Sequence, residues 1–570
     1  MKASFFAAAA AALLAAAPIV EPHPGDIGPI EGDPAPAVVQ EISPDAATAA
    51  VPTEAEIGSV LAGPLAQHPG TAHVSVRDAV TGEELYGQDQ EEGVAPASAV
   101  KLLTAATALR TLGSERRFRT RTVLIDPARM AVQTQPQPAS SWQPSPASTG
   151  APQPTPSSSW QPSPSSTWQP SPGSGWTPSP SSSWTPTRSP TPPPNAPAPT
   201  PTDAASDTPQ PSDSPSPSSP SPSEGESSGE GVPPSSSPEP SGPQQLVLVG
   251  GGDVMLGTGA SDESRVDGRA GLVTLAEETV AGLQEQGVTG EVELTLDLRL
   301  YEGDGVNPAW SQGLLEGGYI SRVQPLATFG GRPEPGTAEE RVADPAQFTA
   351  QRFQSVLEEK IAESGADLEL TVREDIPQTA APRELVEEAE PVGEVLSAPL
   401  HEQVAYMLAH SDNQLAEALA RNAAYAVGRT PDHRGAAALM TDVAADLGVD
   451  TEGMDLQDAS GLSGRNRISA SALTGVLAAS AEMPLLGAAV QGLATPGSDS
   501  TLAGRLVGTA AEDVSAAKTG TLLEAVSLTG RVETTQGRVL LFSVVLSGID
   551  SQVADARAAT DRAVVALAQL

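Results

Sequence analysis

Three short clusters of reactive side chains stand in one order along the 570 residues: Ser98-Ala-Val-Lys101, Ser411-Asp-Asn413 and Lys518-Thr-Gly520. A serine hydroxyl is a weak nucleophile until a neighbouring base takes its proton. A lysine three residues further along a helix lies on the same face as the serine. Lys101 can be that base if burial and a second cation lower its proton affinity, and Lys518 is the natural second cation. Ser411 can pass the proton towards a leaving amine, while Asn413 can hold Lys101 and donate to an amide carbonyl. Lys518 and Thr519 offer donors to a substrate carboxylate. Gly520, on what reads as an edge strand, would let a substrate lie close against the backbone. Backbone N–H groups of Ser98 and Thr521 would form an oxyanion hole, where losing one donor costs roughly 100- to 1000-fold in rate. The chemistry these groups describe is acyl transfer through a serine.

Each cluster taken alone is weak, because a Ser three places before a Lys arises by chance in an Ala- and Ser-rich chain. Ser411-Asp-Asn413 also has the residue types of a cap ahead of a helix over Gln414–Ala424. Lys518-Thr-Gly520 could be a polar strand end, and Ser98 a helix surface. Order and spacing carry the weight. Ser411 and Lys518 are 107 residues apart, whereas Ser98 and Ser411 are 313 apart, which leaves room for a large insertion.

The elements that must position these residues are partly legible. Val74, Val76 and Leu85 alternate around Thr81-Gly82 and predict a half-buried hairpin opening a sheet. Leu102, Leu103, Ala106 and Leu109 form one apolar stripe, so a helix should begin at the first cluster. Phe118–Leu124 and Leu246–Val249 read as strands that pair with each other. Leu272–Gln286 and Phe348–Ser364 read as helices, and Val292–Leu298 as a strand. Beyond about Ser397 the unit that carries the chemistry resumes.

Between about Val132 and Gln245 the composition changes: 32 of 56 prolines and five of six tryptophans fall there. Trp160, Trp168, Trp176 and Trp184 recur every eight residues, a spacing that no packable repeat uses. The expectation is a disordered, polyproline-like tract, either a solvated spacer or an exposed adhesive segment. A long loop is inexpensive, since each doubling adds only about 0.6 kcal/mol of closure entropy. Removing the tract's 114 residues from the 313 leaves 199, enough for one inserted α/β domain.

Met1-Lys2 and the Ala-, Leu- and Phe-rich run to Val20 read as a signal peptide or membrane anchor over 1–20. Ala15-Ala-Ala17 offers a cleavage site and the following Pro18 opposes it. Residues 21–54 read as a flexible tether. The formal charge of −40, from 71 acidic against 31 basic residues, opposes partnership with nucleic acid or anionic lipid. With no cysteine there are no disulfides or thiolate sites, and the six histidines show no zinc-ligand spacing. No metal or other cofactor is expected.

Gly250-Gly-Gly-Asp253, Ser411-Asp-Asn-Gln-Leu-Ala-Glu417, Asp458-Ala-Ser-Gly-Leu-Ser463 and Ala517-Lys-Thr-Gly-Thr521 together resemble the low-molecular-mass class C penicillin-binding proteins, which are D-alanyl-D-alanine carboxypeptidases and endopeptidases. The resemblance covers most of residues 55–570 outside the Pro-rich tract. It implies an α/β (α+β) fold: a penicillin-binding-protein or β-lactamase-like catalytic domain, with an antiparallel sheet flanked by helices plus a helical subdomain, interrupted by an inserted α/β domain. The implied boundaries are 55–116 and 397–570 for the catalytic domain and 117–396 for the insertion, with the tract at 132–245 inside it. Ser98, Lys101, Ser411, Asn413 and Lys518 take the catalytic roles, and Thr519, Gly520 and Thr521 line the substrate. Peptidoglycan stem peptides are the implied partners, β-lactams the inhibitors, and the cell envelope the location, with wall or membrane association through the N-terminus. One departure bears on specificity: relatives commonly carry Arg where this chain has Gly464, with Arg465 one place later. A β-lactamase on the same fold is the near rival, although its Glu-x-x-Leu-Asn deacylation word is missing. A wall-binding scaffold with a decayed site is the other alternative.

Overall fold

The computed structural model describes residues 48–66, 68–126, 243–336 and 341–570. In chain order the main elements are α1 (Glu54–Leu65), β1 (Thr71–Asp78), β2 (Glu84–Gln88), α2 (Lys101–Leu112), β3 (Arg119–Ile125), β4 (Gln244–Val249) and β5 (Asp253–Leu256). Then come α3 (Leu272–Glu285), β6 (Gly290–Asp297), β7 (Leu326–Thr328), α4 (Pro345–Ser364), β8 (Leu368–Thr371), β9 (Pro391–Leu396), α5 (Leu400–His410) and α6 (Asn413–Ala426). The chain ends with α7 (His433–Asp446), α8 (Ala470–Glu482), β10 (Ser515–Thr521), β11 (Ala525–Glu533), β12 (Val539–Ser547) and α9 (Val553–Ala568). Thr53 opens α1 through a capping box with Glu56, at the end of the stretch 21–54 that reads as a tether. The signal or anchor expected at 1–20, most of the tether and nearly all of the Pro-rich tract lie outside the described residues. Among the described residues no single helix is long and apolar enough to cross a membrane.

One sheet runs β10-β11-β12-β1-β2 and is antiparallel throughout. The predicted hairpin is β1 and β2, but its first strand is buried on both faces rather than one. Helices explain this. α8 packs on one side of β1 and β12, while α1 and α9 cover the other side of the sheet. The polar positions of β1 are accommodated by partners: His73 Nε2 meets Ser547 Oγ at 2.9 Å and Ser75 Oγ meets Thr474 Oγ1 at 2.7 Å. Half-burial falls instead to β2, at the edge. Along β10, at the opposite edge, Ala516 joins the core shared with α2 and Ala517 the core shared with α1 and α9.

The helical layer is built around α2, every residue of which from Lys101 to Leu109 is buried, against α5, α6, α7 and α8. Full burial of Leu102, Leu103 and Leu109 stabilises by about 1.5–3 kcal/mol each. The flanking Ala105, Ala106 and Ala108 let neighbouring helices approach closely. A Leu103→Ala change would open a cavity at the centre of this layer.

A second, mixed sheet runs β8-β6-β4-β3-β9, with β3 antiparallel to β4 and β9, and β6 parallel to β4 and β8. The predicted pairing of 118–124 with 246–249 is β3 with β4, in the register Arg121↔Val249. β4 begins at Gln244, so the last two residues assigned to the tract, Gln244 and Gln245, are strand residues paired with Val292 and Glu293. Predicted helices and strand appear as α3, α4 and β6. Leu275, Leu283, Phe353 and Leu357 close the core of this sheet.

Candidate active site

Ser98 sits in a 3-10 turn, Ala97–Val100, that leads into α2. The sequence led us to expect an α-helical turn; the tighter 3-10 geometry eclipses side chains three residues apart. Lys101 Nζ accordingly lies 3.1 Å from Ser98 Oγ and donates to it. Just before Ser98, Ala97 holds a φ of 49°, a left-handed conformation that a non-glycine residue adopts at a cost of about 1–3 kcal/mol. The turn is clamped from two sides. A β-carbon at Gly461 would fall 2.0 Å from the Ala97 carbonyl oxygen, and Ser527 Oγ on β11 donates to the Pro96 carbonyl at 2.7 Å.

Lys101 is completely buried, and its ammonium also donates to Asn413 Oδ1 at 2.7 Å and to the Ser460 carbonyl. Burial pushes its pKa down to about 8; the Asp458, Asp412 and Glu417 carboxylates oppose that shift and Arg341 assists it. The direction and the burial match the requirement for a base, but the assisting cation is Arg341 rather than Lys518. The like-charge effect shows on the other partner: Lys518 is held well below its ordinary value by burial first, then by Lys101 and Arg505. Lys518 is itself buried, and donates to Ser411 Oγ at 2.9 Å and the Thr519 carbonyl at 2.7 Å.

Ser411 and Asn413 are fixed by the tight link between α5 and α6. Ser411 ends α5 in the left-handed region at φ 55°, and Asp412, not Ser411, caps α6 by accepting from Leu415 N at 2.8 Å. The cap expected somewhere in this cluster therefore exists, and its placement on the middle residue frees the two outer side chains for the site. Asp412 is further held by Arg332 at 3.2 Å and Arg341 at 3.0 Å. Asn413 is oriented from both ends, its Nδ2 donating to the Tyr319 carbonyl at 2.9 Å.

β10 lies along the turn that bears Ser98. At Gly520 a β-carbon would fall 2.1 Å from Ser527 Oγ, 2.8 Å from the Pro96 carbonyl and 3.0 Å from Ala97 Cβ. The room we had assigned to substrate is thus occupied by protein, and glycine is required here so that strand and turn can meet. Thr519 and Thr521 share the opposite face of the strand. At Gly464 a β-carbon would fall 1.9 Å from the carboxylate of Glu524, which lies in the loop after β10.

Several contributors escaped the sequence. Ser98 Oγ can donate to the Ser460 carbonyl at 3.3 Å, the same oxygen that receives Lys101. That carbonyl is held in place by Glu417, whose Oε1 accepts from Ala459 N at 2.9 Å and Ser460 N at 2.8 Å. Burial and then the Asp458 charge raise the Glu417 pKa. Asp458 accepts from Gly461 N, Ser463 N, Asn466 Nδ2 and Trp310 Nε1 at 2.7–2.9 Å. Glu417 stands four residues after Asn413 on α6, and that spacing on one helix face was the available clue. Trp310, Tyr319, Arg332 and Arg341 all come from the stretch between the first two clusters, so that stretch helps to hold these residues.

A family model described as the D-Ala-D-Ala carboxypeptidase 3 (S13) family matches residues 55–129 and 330–570. The chain is 32% identical over 308 residues to carboxypeptidase DacB of Mycolicibacterium smegmatis, a match that takes in 53% of this chain and 63% of that protein. It is 31% identical over 219 residues to a D-alanyl-D-alanine carboxypeptidase of an Actinomadura species, covering 38% and 39% respectively. The chain thus spans less than two thirds of the length of these curated relatives. Its fold is similar to penicillin binding protein 4 (dacB) from Haemophilus influenzae, with 15% identity, a TM-score of 0.54, and 89% of this chain and 97% of that one covered.

Proposed function

Since the chain belongs to the D-Ala-D-Ala carboxypeptidase 3 (S13) family, we propose that it is a serine-type D-alanyl-D-alanine carboxypeptidase and endopeptidase acting on peptidoglycan stem peptides. The observation that supports this most strongly is the contact of Lys101 Nζ with both Ser98 Oγ and Asn413 Oδ1, while Lys518 reaches Ser411, two residues from Asn413. In the deprotonated form Lys101 takes the Ser98 proton as Ser98 Oγ attacks the carbonyl carbon between the two D-alanines. The oxyanion faces the backbone N–H groups of Ser98 and Thr521. Collapse of the adduct breaks the C–N bond, and the proton reaches the leaving amine by way of Ser411. D-Alanine departs, and water, deprotonated in turn by Lys101, hydrolyses the ester and restores Ser98. Lys518, Thr519 and Thr521 hold the terminal carboxylate, and a β-lactam, whose amide and carboxylate mimic the peptide end, stops at the acyl-enzyme.

In this reading 55–116 and 397–570 form the catalytic domain and 117–396 the insertion, and the enzyme works in the cell envelope, exported by its first 20 residues. Gly464 with Glu524 beside it gives the rim of the site an acidic character, so the preferred stem side chain should differ from that of relatives with Arg there. The test is to incubate the purified chain with a fluorescent penicillin and with a D-Ala-D-Ala peptide, and to compare it with Ser98→Ala. Stable label on Ser98 with release of D-alanine, both absent from the variant, supports the proposal. Label persisting in the variant refutes it, and rapid multiple turnover of a chromogenic cephalosporin would make the chain a β-lactamase instead.

A further inference from the structure

One cation near this site belongs to none of the three clusters. Arg557 projects from the first turns of α9, on the far side of the sheet from α2, and is exposed. It crosses to the end of β10 and donates to the Thr521 hydroxyl from both Nε, at 3.3 Å, and Nη2, at 3.1 Å. The alternation along β10 puts Thr521 on the same face as Thr519, about 7 Å along the strand. No carboxylate pairs with Arg557 among the described residues, in a chain that carries 71 acidic side chains against 31 basic ones.

We propose that Arg557 is a specificity-determining residue that, with Thr519 and Thr521, receives the terminal carboxylate of the substrate; this rests on the functional reading given above. A hydroxyl has one donor and two acceptor positions. With the guanidinium occupying the acceptor side of Thr521 Oγ1, the hydroxyl hydrogen turns outward and is presented to an incoming anion. The guanidinium supplies charge as well as orientation. Lys518 is poorly suited to do this alone, because it is buried, already donates to Ser411 and the Thr519 carbonyl, and shares the pocket with a second lysine. A guanidinium keeps its charge throughout the working pH range and binds planar carboxylates through paired donors. Its field also counters the repulsion that a strongly acidic molecule exerts on an anionic peptide end.

The experiment uses the full chain in wild-type, Arg557→Ala, Arg557→Lys and Thr521→Val forms, with a peptide ending in D-Ala-D-Ala as the free acid or the amide. Because Arg557 is exposed, the alanine variant should keep its melting temperature. The assignment expects KM for the free acid to rise roughly tenfold in Arg557→Ala with kcat changed by less than about twofold, as loss of one charge-assisted contact implies. The amide should be handled equally by both forms, the free-acid advantage should fall with added salt in wild type only, and lysine should restore part of the loss. Equal weakening towards acid and amide, or no weakening towards either, overturns it. Failure of the underlying function would look different: the wild-type chain would take up no penicillin at Ser98. To separate the two, binding of both peptides is also titrated in a Ser98→Ala background, where a preference for the acid that Arg557→Ala leaves undiminished refutes the assignment whatever the turnover.

Discussion

Replacing Asp412 by Asn tests whether the link between α5 and α6 is held by charge. Asparagine is as good a helix cap as aspartate, so the Leu415 N–H keeps its acceptor while the two guanidinium contacts, at 3.2 and 3.0 Å, lose their counter-charge. With an effective dielectric near 20, each contact is worth about 5 kcal/mol before desolvation. Relief of the buried carboxylate offsets much of that, and breaking a buried pair from one side costs about 3–5 kcal/mol net. We expect a loss of about 3 kcal/mol, the lower figure, because Arg341 keeps its contact to the Gly318 carbonyl at 3.2 Å. Urea denaturation of the two proteins measures it. Burial alone would raise the Asp412 pKa, yet Arg341, Arg332 and the Leu415 N–H outweigh it and hold the carboxyl well below the usual carboxylate range. A folded-state value below the unfolded one contributes stability that is whole above about pH 4 and lost as pH falls below it. The wild type should therefore shed this contribution on the acid side, and Asp412→Asn should have none to shed. Acylation by penicillin should slow about tenfold in the folded variant, because Ser411 and Asn413 flank the change. A loss under about 1 kcal/mol, with an unchanged acid limb, would refute the reasoning.

The acylation rate should climb with pH and level off above about 8, the value to which burial lowers Lys101; stopped-flow labelling between pH 6 and 10 measures the midpoint. Gly520→Ala should cost about 1–3 kcal/mol from overpacking and slow acylation at least 100-fold, since the new methyl displaces the turn that bears Ser98, as thermal melts and labelling would report. Glu417→Ala strands two buried N–H groups and should cost about 2–4 kcal/mol together with most of the acylation rate, whereas Glu417→Gln, which keeps an acceptor, should recover much of both. Arg538→Ala, which strands the buried Asp78 carboxylate at the end of β1, should lower stability by about 3 kcal/mol and leave acylation by the folded protein unchanged.

The three clusters were legible because each is local: residue type and a spacing of two or three places suffice to state what the side chains can do. The hairpin, the β3 and β4 pairing and the helices of the insertion followed from periodicity in the same way. Burial of β1 on both faces was not legible, since its polar residues His73 and Ser75 are matched by Ser547 and Thr474, some 400 residues or more away in sequence. A backbone carbonyl such as that of Ser460 has no residue signature, and the arginines that secure Asp412 stand 71 and 80 residues before it. The crowding at Gly520 was not legible, because it comes from Ser527 on the neighbouring strand and from a turn more than 400 residues earlier. For Lys101 the direction and the burial were legible, whereas the cation that assists is Arg341, far away in sequence, rather than Lys518.

The stretch between the first two clusters supplies a carbonyl to Asn413, an indole to Asp458 and two guanidinium groups to Asp412. An excised version that joined Leu112 directly to Leu400 would keep every reactive side chain and lose the partners that hold Asn413, Asp412 and Asp458. What reads in the sequence as an accessory graft thus braces these residues in three dimensions, and a shortened chain should retain Trp310, Tyr319, Arg332 and Arg341.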